Sequence, residues 1–201
     1  MSIQLQDLEL LNAVRDFTLQ HPHPDISAFK AGMRDWGDDW QAVTATRLPV
    51  SDLLEPASGN CTPISRDLLD CFLRHNQRLC WEQSYRKQDG LVPESMLEGY
   101  GFAEVLGLRG PFVSDRIRAG LAIWGPGIDY PQHRHEAVEA YILLCGSAHF
   151  RFDDGVELLY HADDVVYVES SRRHGFRTDR DSLVVLYLWQ AGDLRQTSRF
   201  D

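Results

Sequence analysis

The chain has 201 residues, of which 43% are hydrophobic and 25% are charged, a composition typical of one globular domain with added elements or of two small domains. Its formal net charge of -10 repels phosphate backbones, which argues against a nucleic-acid partner. No apolar run reaches the roughly 18–20 residues that span a membrane, and the first seven residues lack the basic and apolar regions of a secretory signal. We therefore expect a cytoplasmic protein without a membrane partner.

The first half of the chain carries helical patterns. Apolar residues recur every three positions from Leu5 to Phe17, which predicts an amphipathic helix over residues 4–19. The prolines within residues 21–24 end it, because proline cannot continue a helix interior. A second short helix is predicted from residue 25 to about residue 35.

A loop and a longer helix are predicted next. Residues 48–60 are rich in Pro, Ser and Gly and are interpreted as a loop. Thr62 and Pro63 form a typical helix start, and the apolar spacing that follows predicts a helix to about Lys87. We therefore assign residues 1–99 to an N-terminal helical region that packs on the rest of the chain.

The cysteines are the next feature of the sequence. There are four of them, without a CxxC pair: Cys61, Cys71, Cys80 and Cys145. Because Cys71 and Cys80 lie in a helical pattern and Cys145 in a strand pattern, we expect free and mostly buried thiols, as in a reducing cytoplasm.

After Gly99 the pattern changes to short apolar or alternating runs. A hairpin turn is predicted at Asp153, Asp154 and Gly155. Closely spaced short strands of this kind indicate a sandwich or a barrel. The predicted strands are residues 119–124, 139–145, 147–152, 156–160, 165–169 and 183–189.

A group of potential metal ligands lies within this region. His133 and His135 are two residues apart, so on an extended strand both rings point to one face, and Glu139 and Tyr141 share the same relation. Two imidazoles and a carboxylate suit Fe(II), Zn, Mn, Co or Ni better than Ca or Cu(I). A fourth ligand should come from a later strand, and His174 is the natural candidate.

Residues 127–146 resemble the first cupin motif, G-x5-HxH-x3-E-x6-G, at every required position. This resemblance implies a mainly β fold for residues 100–201, the cupin double-stranded β-helix or jelly-roll barrel, preceded here by the α-helical region. It also implies that His133, His135, Glu139 and His174 bind one divalent transition-metal ion, foremost Fe(II) or Zn.

The second cupin motif is degraded. His174 is retained, but the glycine, proline, glycine and asparagine positions hold Asp163, Glu169, Ser171 and Thr178. The metal ligand is therefore present, but the glycines that favour the turn before its strand are replaced.

The chain also resembles the cupin-type dimethylsulfoniopropionate (DMSP) lyases over most of its length. The shared features are the helical region, Tyr100-Gly-Phe, Arg109-Gly-Pro-Phe, Asp129-Tyr130-Pro131, the pattern His133-x-His135-x3-Glu139-x-Tyr141, and Trp189. The resemblance implies a metal-dependent carbon–sulfur lyase that cleaves a small zwitterion, DMSP, to dimethyl sulfide and acrylate by β-elimination.

This chemistry gives the remaining residues expected roles. A metal that binds the substrate carboxylate stabilises a carbanion, and Tyr141 is placed to be the base, with a pKa that a neighbouring dication would lower. Tyr130 could orient the carboxylate or share the proton. Trp189, Trp124 or Tyr130 could hold the sulfonium by a cation–π attraction of about 0.5–2 kcal/mol.

The sequence is also compatible with other functions. Another metal-dependent cupin enzyme, an isomerase or a dioxygenase, could act on a small carboxylate, and a cupin without catalysis could simply bind a small molecule. Tyr141 could also be a barrel-lining core residue. The sequence is compatible with a monomer or a homodimer.

Overall fold

The computed structural model describes residues 2–34 and 39–200. Helices occupy mainly the first hundred residues and strands the remainder, as the sequence predicts. The α-helices of the described chain are α1 (Ile3–Gln20), α2 (Ser27–Arg34), α3 (Leu54–Ser58), α4 (Pro63–His75) and α5 (Glu94–Glu98).

The strands follow one another closely after residue 99, apart from one short strand that precedes it. They are β1 (Trp81–Glu82), β2 (Tyr100–Gly107), β3 (Phe112–Val113), β4 (Ile117–Trp124), β5 (Asp129–His133), β6 (Val138–Cys145), β7 (Ser147–Phe152), β8 (Glu157–His161), β9 (Val165–Val168), β10 (His174–Thr178) and β11 (Leu183–Gln190). The six predicted strands correspond to β4, β6, β7, β8, β9 and β11 and are confirmed.

The strands form two sheets. The larger has seven strands in the order β1-β2-β4-β11-β6-β9, with β3 beside β2, and the smaller has the order β5-β10-β7-β8. All pairings of named strands are antiparallel except that of β2 with β3. Two facing antiparallel sheets of this kind make the cupin barrel, so the predicted fold class is confirmed.

The larger sheet has apolar residues on both faces. On one face, Leu121 and Leu186 belong to a buried cluster with Leu11, Phe29 and Phe72 from helices α1, α2 and α4. On the other face, residues such as Ala122 and Val185 belong to a second cluster that lies inside the barrel with Phe150 and Phe176 of the smaller sheet. The helices therefore cover one face of the barrel, while its interior remains available for a site.

The helix predicted from residue 62 to about Lys87 is shorter in the structure. Pro63 begins it as predicted, but α4 ends at His75 and is followed by a 3-10 turn over Asn76–Arg78. Trp81 then pairs with Ala103 in the larger sheet, and its indole N–H donates to Asn76 Oδ1 at 3.0 Å. Leu79 and Trp81 alternate with period two, which sheet pairing satisfies and a helix does not.

Other elements differ less from the predictions. The predicted helix over residues 4–19 is confirmed by α1, and α2 follows a 3-10 turn over Pro24–Ile26, although its predicted end at residue 35 lies outside the described residues. The predicted loop over residues 48–60 contains a 3-10 helix and α3, because Pro49 sets the first turn of a helix. Strand β2 was missed because it is buried along its whole length, so its residues do not alternate in polarity.

Positive φ angles occur at three positions of the cupin motifs: Gly146, Asp163 and Ser171. Gly146, the last glycine of the first motif, has φ 82°, and a Cβ there would lie 2.2 Å from the carbonyl oxygen of Ser182. Asp163 and Ser171 replace the glycines of the second motif, yet they too have positive φ, 74° and 64°. The turn before β9, which contains Asp163, and the turn before β10, which contains Ser171, are therefore formed despite the lost glycines. Asp163 accepts hydrogen bonds from Thr62 Oγ1 at 2.5 Å and Ser65 Oγ at 3.4 Å.

The described chain has no helix long and apolar enough to cross a membrane. All four cysteines are free, as predicted; Cys71 and Cys145 are buried, whereas Cys61 and Cys80 are half-buried.

Candidate metal centre and active-site cavity

The four predicted ligands come together inside the barrel. His133 on β5 lies directly opposite His174 on β10 in the smaller sheet. His135 lies two residues beyond the end of β5, and Glu139 lies on β6 of the larger sheet. All four are at least 98% buried. The site is thus formed by both sheets of the barrel.

The distances are those of a potential metal centre. Ligand nitrogens of His133, His135 and His174 all lie within 4.8 Å of one another. Glu139 Oε2 lies 2.9 Å from His135 Nε2 and 3.3 Å from His174 Nε2. Three imidazoles and one carboxylate therefore surround one point.

Backbone acceptors beside the three histidines favour the tautomer that leaves Nε2 free. Each Nδ1 lies close to a backbone carbonyl oxygen: His133 to Pro131 at 3.0 Å, His135 to Ala137 at 2.9 Å and His174 to Arg172 at 3.0 Å. If each Nδ1–H donates to its carbonyl, the Nε2 lone pairs remain free. His174 Nε2 is buried and has no hydrogen-bond partner in the described chain, which fits a ligand atom.

Electrostatics favour the same assignment. Burial and the neighbouring His174 lower the pKa of His133 well below its ordinary value, so this imidazole is neutral and able to bind a cation. Burial opposes ionisation of Glu139, but the adjacent imidazoles of His135 and His174 outweigh it and lower the pKa of Glu139 below the ordinary range. The centre therefore offers the neutral imidazole of His133 and the carboxylate of Glu139 beside two further histidines, a donor set that suits a divalent transition metal.

A cavity of about 640 Å³, counting the space open to solvent, adjoins this centre. The four aromatic residues singled out from the sequence, Tyr130, Tyr141, Trp124 and Trp189, all line it together with Glu139. Other lining residues were missed: Tyr85, Tyr100, Tyr187, Arg109, Arg118 and residues 195–198.

Tyr141 lies beside the candidate metal centre. It is two residues after Glu139 on β6, and its ring centroid is 6.1 Å from that of His174. Burial, followed by the Glu139 carboxylate, raises the pKa of Tyr141 well above its ordinary value. With protein groups alone the phenol is neutral, so a role as base depends on positive charge brought to the centre.

Tyr130 stacks with Tyr100 and Trp124, and these three rings form an aromatic wall of the cavity. The Tyr130 ring stacks on His133 with centroids 4.3 Å apart, and its hydroxyl lies 2.7 Å from that of Tyr85. Trp124 and Tyr100 stack on each other at 5.2 Å and on Tyr130 at 5.8 and 6.0 Å. Tyr85 was not predicted to line the cavity because it fell in a predicted helix. Tyr100 was named only as a family feature, because β2 was not predicted.

Trp189 is placed differently from Trp124. It lies directly opposite Glu139 in the pairing of β11 with β6, and its indole N–H donates to Glu139 Oε1 at 2.5 Å. Its ring centroid is 4.2 Å from that of His135, and the Arg118 guanidinium lies 5.3 Å from the ring centroid. Tyr187 faces Tyr141 in the same pairing. Tyr187 lies two residues before Trp189 on β11, so strand alternation directs both side chains to the same face. This spacing could have predicted Tyr187 as a cavity residue.

Two curated proteins are similar to this chain in sequence. The curated DMSP lyase DddQ of Ruegeria pomeroyi is 29% identical over 154 residues, which are 77% of this chain and 75% of the relative. A putative DMSP lyase, DddL of Cereibacter sphaeroides, is 38% identical over 71 residues, 35% of this chain and 29% of the relative.

Two solved structures are similar to this chain over nearly its whole length. One from a crystallographic study of the DMSP lyases RdDddP and RnDddQII has a TM-score of 0.85 and 27% identity and covers 100% of both chains. The crystal structure of DddQ from Ruegeria pomeroyi DSS-3 has a TM-score of 0.81 and 26% identity and covers 96% of both. The family model for DMSP lyase matches residues 33–185, so the chain belongs to the DMSP lyase family.

Proposed function

We propose that the chain is a metal-dependent carbon–sulfur lyase that cleaves DMSP to dimethyl sulfide and acrylate. The observation that carries the proposal is the meeting of three histidines and Glu139 beside an aromatic cavity that Tyr141 lines. Membership of the DMSP lyase family favours this reaction over an isomerase, a dioxygenase or a non-catalytic binding protein.

His133, His135, Glu139 and His174 are the residues that would hold the ion. Their N/O donor set supports Fe(II) or Zn, with Mn, Co and Ni as further possibilities. When bound, the divalent ion supplies a Lewis acid that polarises the substrate carboxylate and positive charge that favours a phenolate nearby.

Tyr141 is the proposed base. Its phenolate oxygen takes a proton from the carbon next to the substrate carboxylate, and the electron pair of that bond forms the double bond of acrylate. The bond from the adjacent carbon to sulfur breaks, and dimethyl sulfide leaves as a neutral molecule with the bonding pair. Tyr130 is proposed to orient the carboxylate or to share the proton, and its stacking on His133 supports this role.

The aromatic wall is the proposed binding site of the sulfonium group. Tyr100, Trp124 and Tyr130 stack beside the centre and present ring surface to the cavity. A cation against such a surface gains about 0.5–2 kcal/mol. Trp124 and Tyr130 thus keep the substrate-binding role proposed from the sequence.

The cytoplasm stays the proposed compartment, supported by the four free thiols. The oligomeric state, proposed as monomer or homodimer, is measured directly by size-exclusion chromatography with light scattering.

The activity is tested with the purified protein and DMSP, with dimethyl sulfide followed by gas chromatography. Fe(II), Zn, Mn, Co and Ni are supplied in turn, and we expect release of dimethyl sulfide with at least one of them. Release with none of the five would contradict the lyase proposal.

The metal centre is tested with His133→Ala. We expect loss of both bound metal and activity, because the variant removes one of four ligands and leaves a weaker site. His161→Ala, which changes an exposed histidine of β8, is the control and should keep both. Equal metal content in the two variants, measured by elemental analysis, would contradict the assignment of His133.

A further inference from the structure

We infer that Trp189 is a positioning residue, whose indole N–H orients the Glu139 carboxylate toward the metal centre. This role differs from the sulfonium-binding role predicted from the sequence, and it rests on the proposed metal centre.

The two oxygens of Glu139 have separate partners. Oε1 accepts the indole N–H of Trp189 at 2.5 Å. Oε2 lies 2.9 Å from His135 Nε2 and 3.3 Å from His174 Nε2, on the side of the centre. The indole therefore fixes the rotation of the carboxylate, so that one oxygen faces the centre and the other faces away.

The indole is itself fixed by its surroundings. The register of β11 with β6 places Trp189 directly opposite Glu139, and the ring packs against His135 with centroids 4.2 Å apart. The guanidinium of Arg118 lies 5.3 Å from the indole ring centroid. Arg118 cannot move freely, because it donates to Glu104 Oε2 at 2.6 Å and to the carbonyl oxygen of Leu194 at 3.0 Å.

Loss of the indole N–H should weaken metal binding. Without it, Oε1 is a buried carboxylate oxygen that has lost a hydrogen bond, and the carboxylate gains freedom to turn away from the histidines. Groups that hold a metal ligand in place typically contribute 10–100-fold to metal affinity. We expect a loss of about this size in Trp189→Phe.

Trp124 provides a matched control. It lines the same cavity and is buried, but its indole nitrogen has no hydrogen-bond partner in the described chain. Trp124→Phe therefore removes an indole N–H that orients nothing, and we expect its metal affinity to stay close to that of the wild type.

The experiment measures the Zn affinity of the wild type, Trp189→Phe and Trp124→Phe by competition with a chromophoric chelator. Trp189 is only half-buried, so phenylalanine should be accommodated, and the melting temperature of the metal-free protein checks this. A second measurement is a double-mutant cycle with Glu139→Ala, which removes the oxygen that accepts the indole N–H. If Trp189 acts through Glu139, Trp189→Phe has little further effect in that background, whereas an independent packing role gives the same loss in both backgrounds.

The outcomes separate the two claims. Weaker metal binding by Trp189→Phe alone, together with coupling to Glu139, supports the inference. A wild type that binds metal while Trp189→Phe binds it equally tightly overturns the inference and leaves the metal centre intact. A wild type that binds no Zn, Fe(II), Mn, Co or Ni overturns the proposed metal centre, and the inference with it.

Discussion

Tyr141 is the single residue on which the proposed chemistry depends most. Tyr141→Phe removes the hydroxyl and keeps the ring that packs against Phe150 and Phe176, so fold and metal should be retained. Removal of a positioned base typically costs about 10²–10⁴-fold, and we expect kcat for DMSP to fall by that amount. Dimethyl sulfide release and metal content are measured on the same preparation.

Tyr160→Phe is the control for this variant. Tyr160 on β8 contacts Phe150 from outside the cavity lining, so its hydroxyl should have no effect on kcat. Release of dimethyl sulfide by Tyr141→Phe at the wild-type rate would make Tyr141 a core residue and place the base elsewhere.

The residues of the site differ in how far the sequence could predict them. His133, His135, Glu139 and Tyr141 lie within nine positions of one another, so strand alternation alone places them in pairs on common faces. The contact of Trp189 with Glu139 depends on the pairing of β11 with β6, which single-strand patterns do not specify. For the same reason the sequence suggested Trp189 as a cavity residue but not as a partner of Glu139.

Among the elements, the turn before β10 keeps a left-handed residue although serine replaces the glycine of the cupin motif. Ser171 has φ 64°, and its backbone N–H donates to the carbonyl oxygen of His135 at 2.8 Å. A left-handed backbone costs a non-glycine residue about 1–2 kcal/mol, while the extra freedom of glycine in the unfolded chain costs about 0.4–1 kcal/mol. We therefore expect Ser171→Gly to stabilise the protein by about 1 kcal/mol. Urea unfolding measures this as a higher midpoint at an unchanged slope.

Asp163→Gly is the matched comparison for Ser171→Gly. Asp163 also has positive φ, but its carboxylate accepts hydrogen bonds from Thr62 and Ser65 at the start of α4. Because glycine loses these bonds, we expect a net destabilisation. If both variants were stabilised equally, the bonds to α4 would contribute nothing.

The prediction of elements succeeded where the local pattern and the tertiary environment agreed. Helix α1 and strand β7 have clear periodicities and were predicted within one or two residues. The segment after His75 was predicted as helix because Leu79 and Trp81 were assigned to a helical spacing, whereas pairing with β2 decides its structure. Such a strand depends on a partner about twenty positions away, which the local sequence does not contain.

At the scale of the whole molecule, the helices and the barrel share a core. Residues of α1, α2 and α4 form one buried cluster with the outer face of the larger sheet. Strand β1, which precedes residue 100, adds an edge to that sheet, and Tyr85 reaches the cavity. Residues 1–99 and 100–201, separated by the sequence pattern, therefore depend on each other in structure.

This dependence leads to a prediction for the isolated fragment 100–201. Without the helices, buried side chains such as Leu121, Leu186 and Leu188 would be exposed to water on one face of the sheet. Burial of each such side chain stabilises a fold by about 1.5–3 kcal/mol, and a domain has only about 5–15 kcal/mol in total. We expect a fragment that aggregates or lacks a cooperative melting transition by circular dichroism, and that releases no dimethyl sulfide. Addition of residues 1–99 in trans should restore part of both signals, whereas a fragment that melts cooperatively with full activity would show that the helices contribute neither to the fold nor to the site.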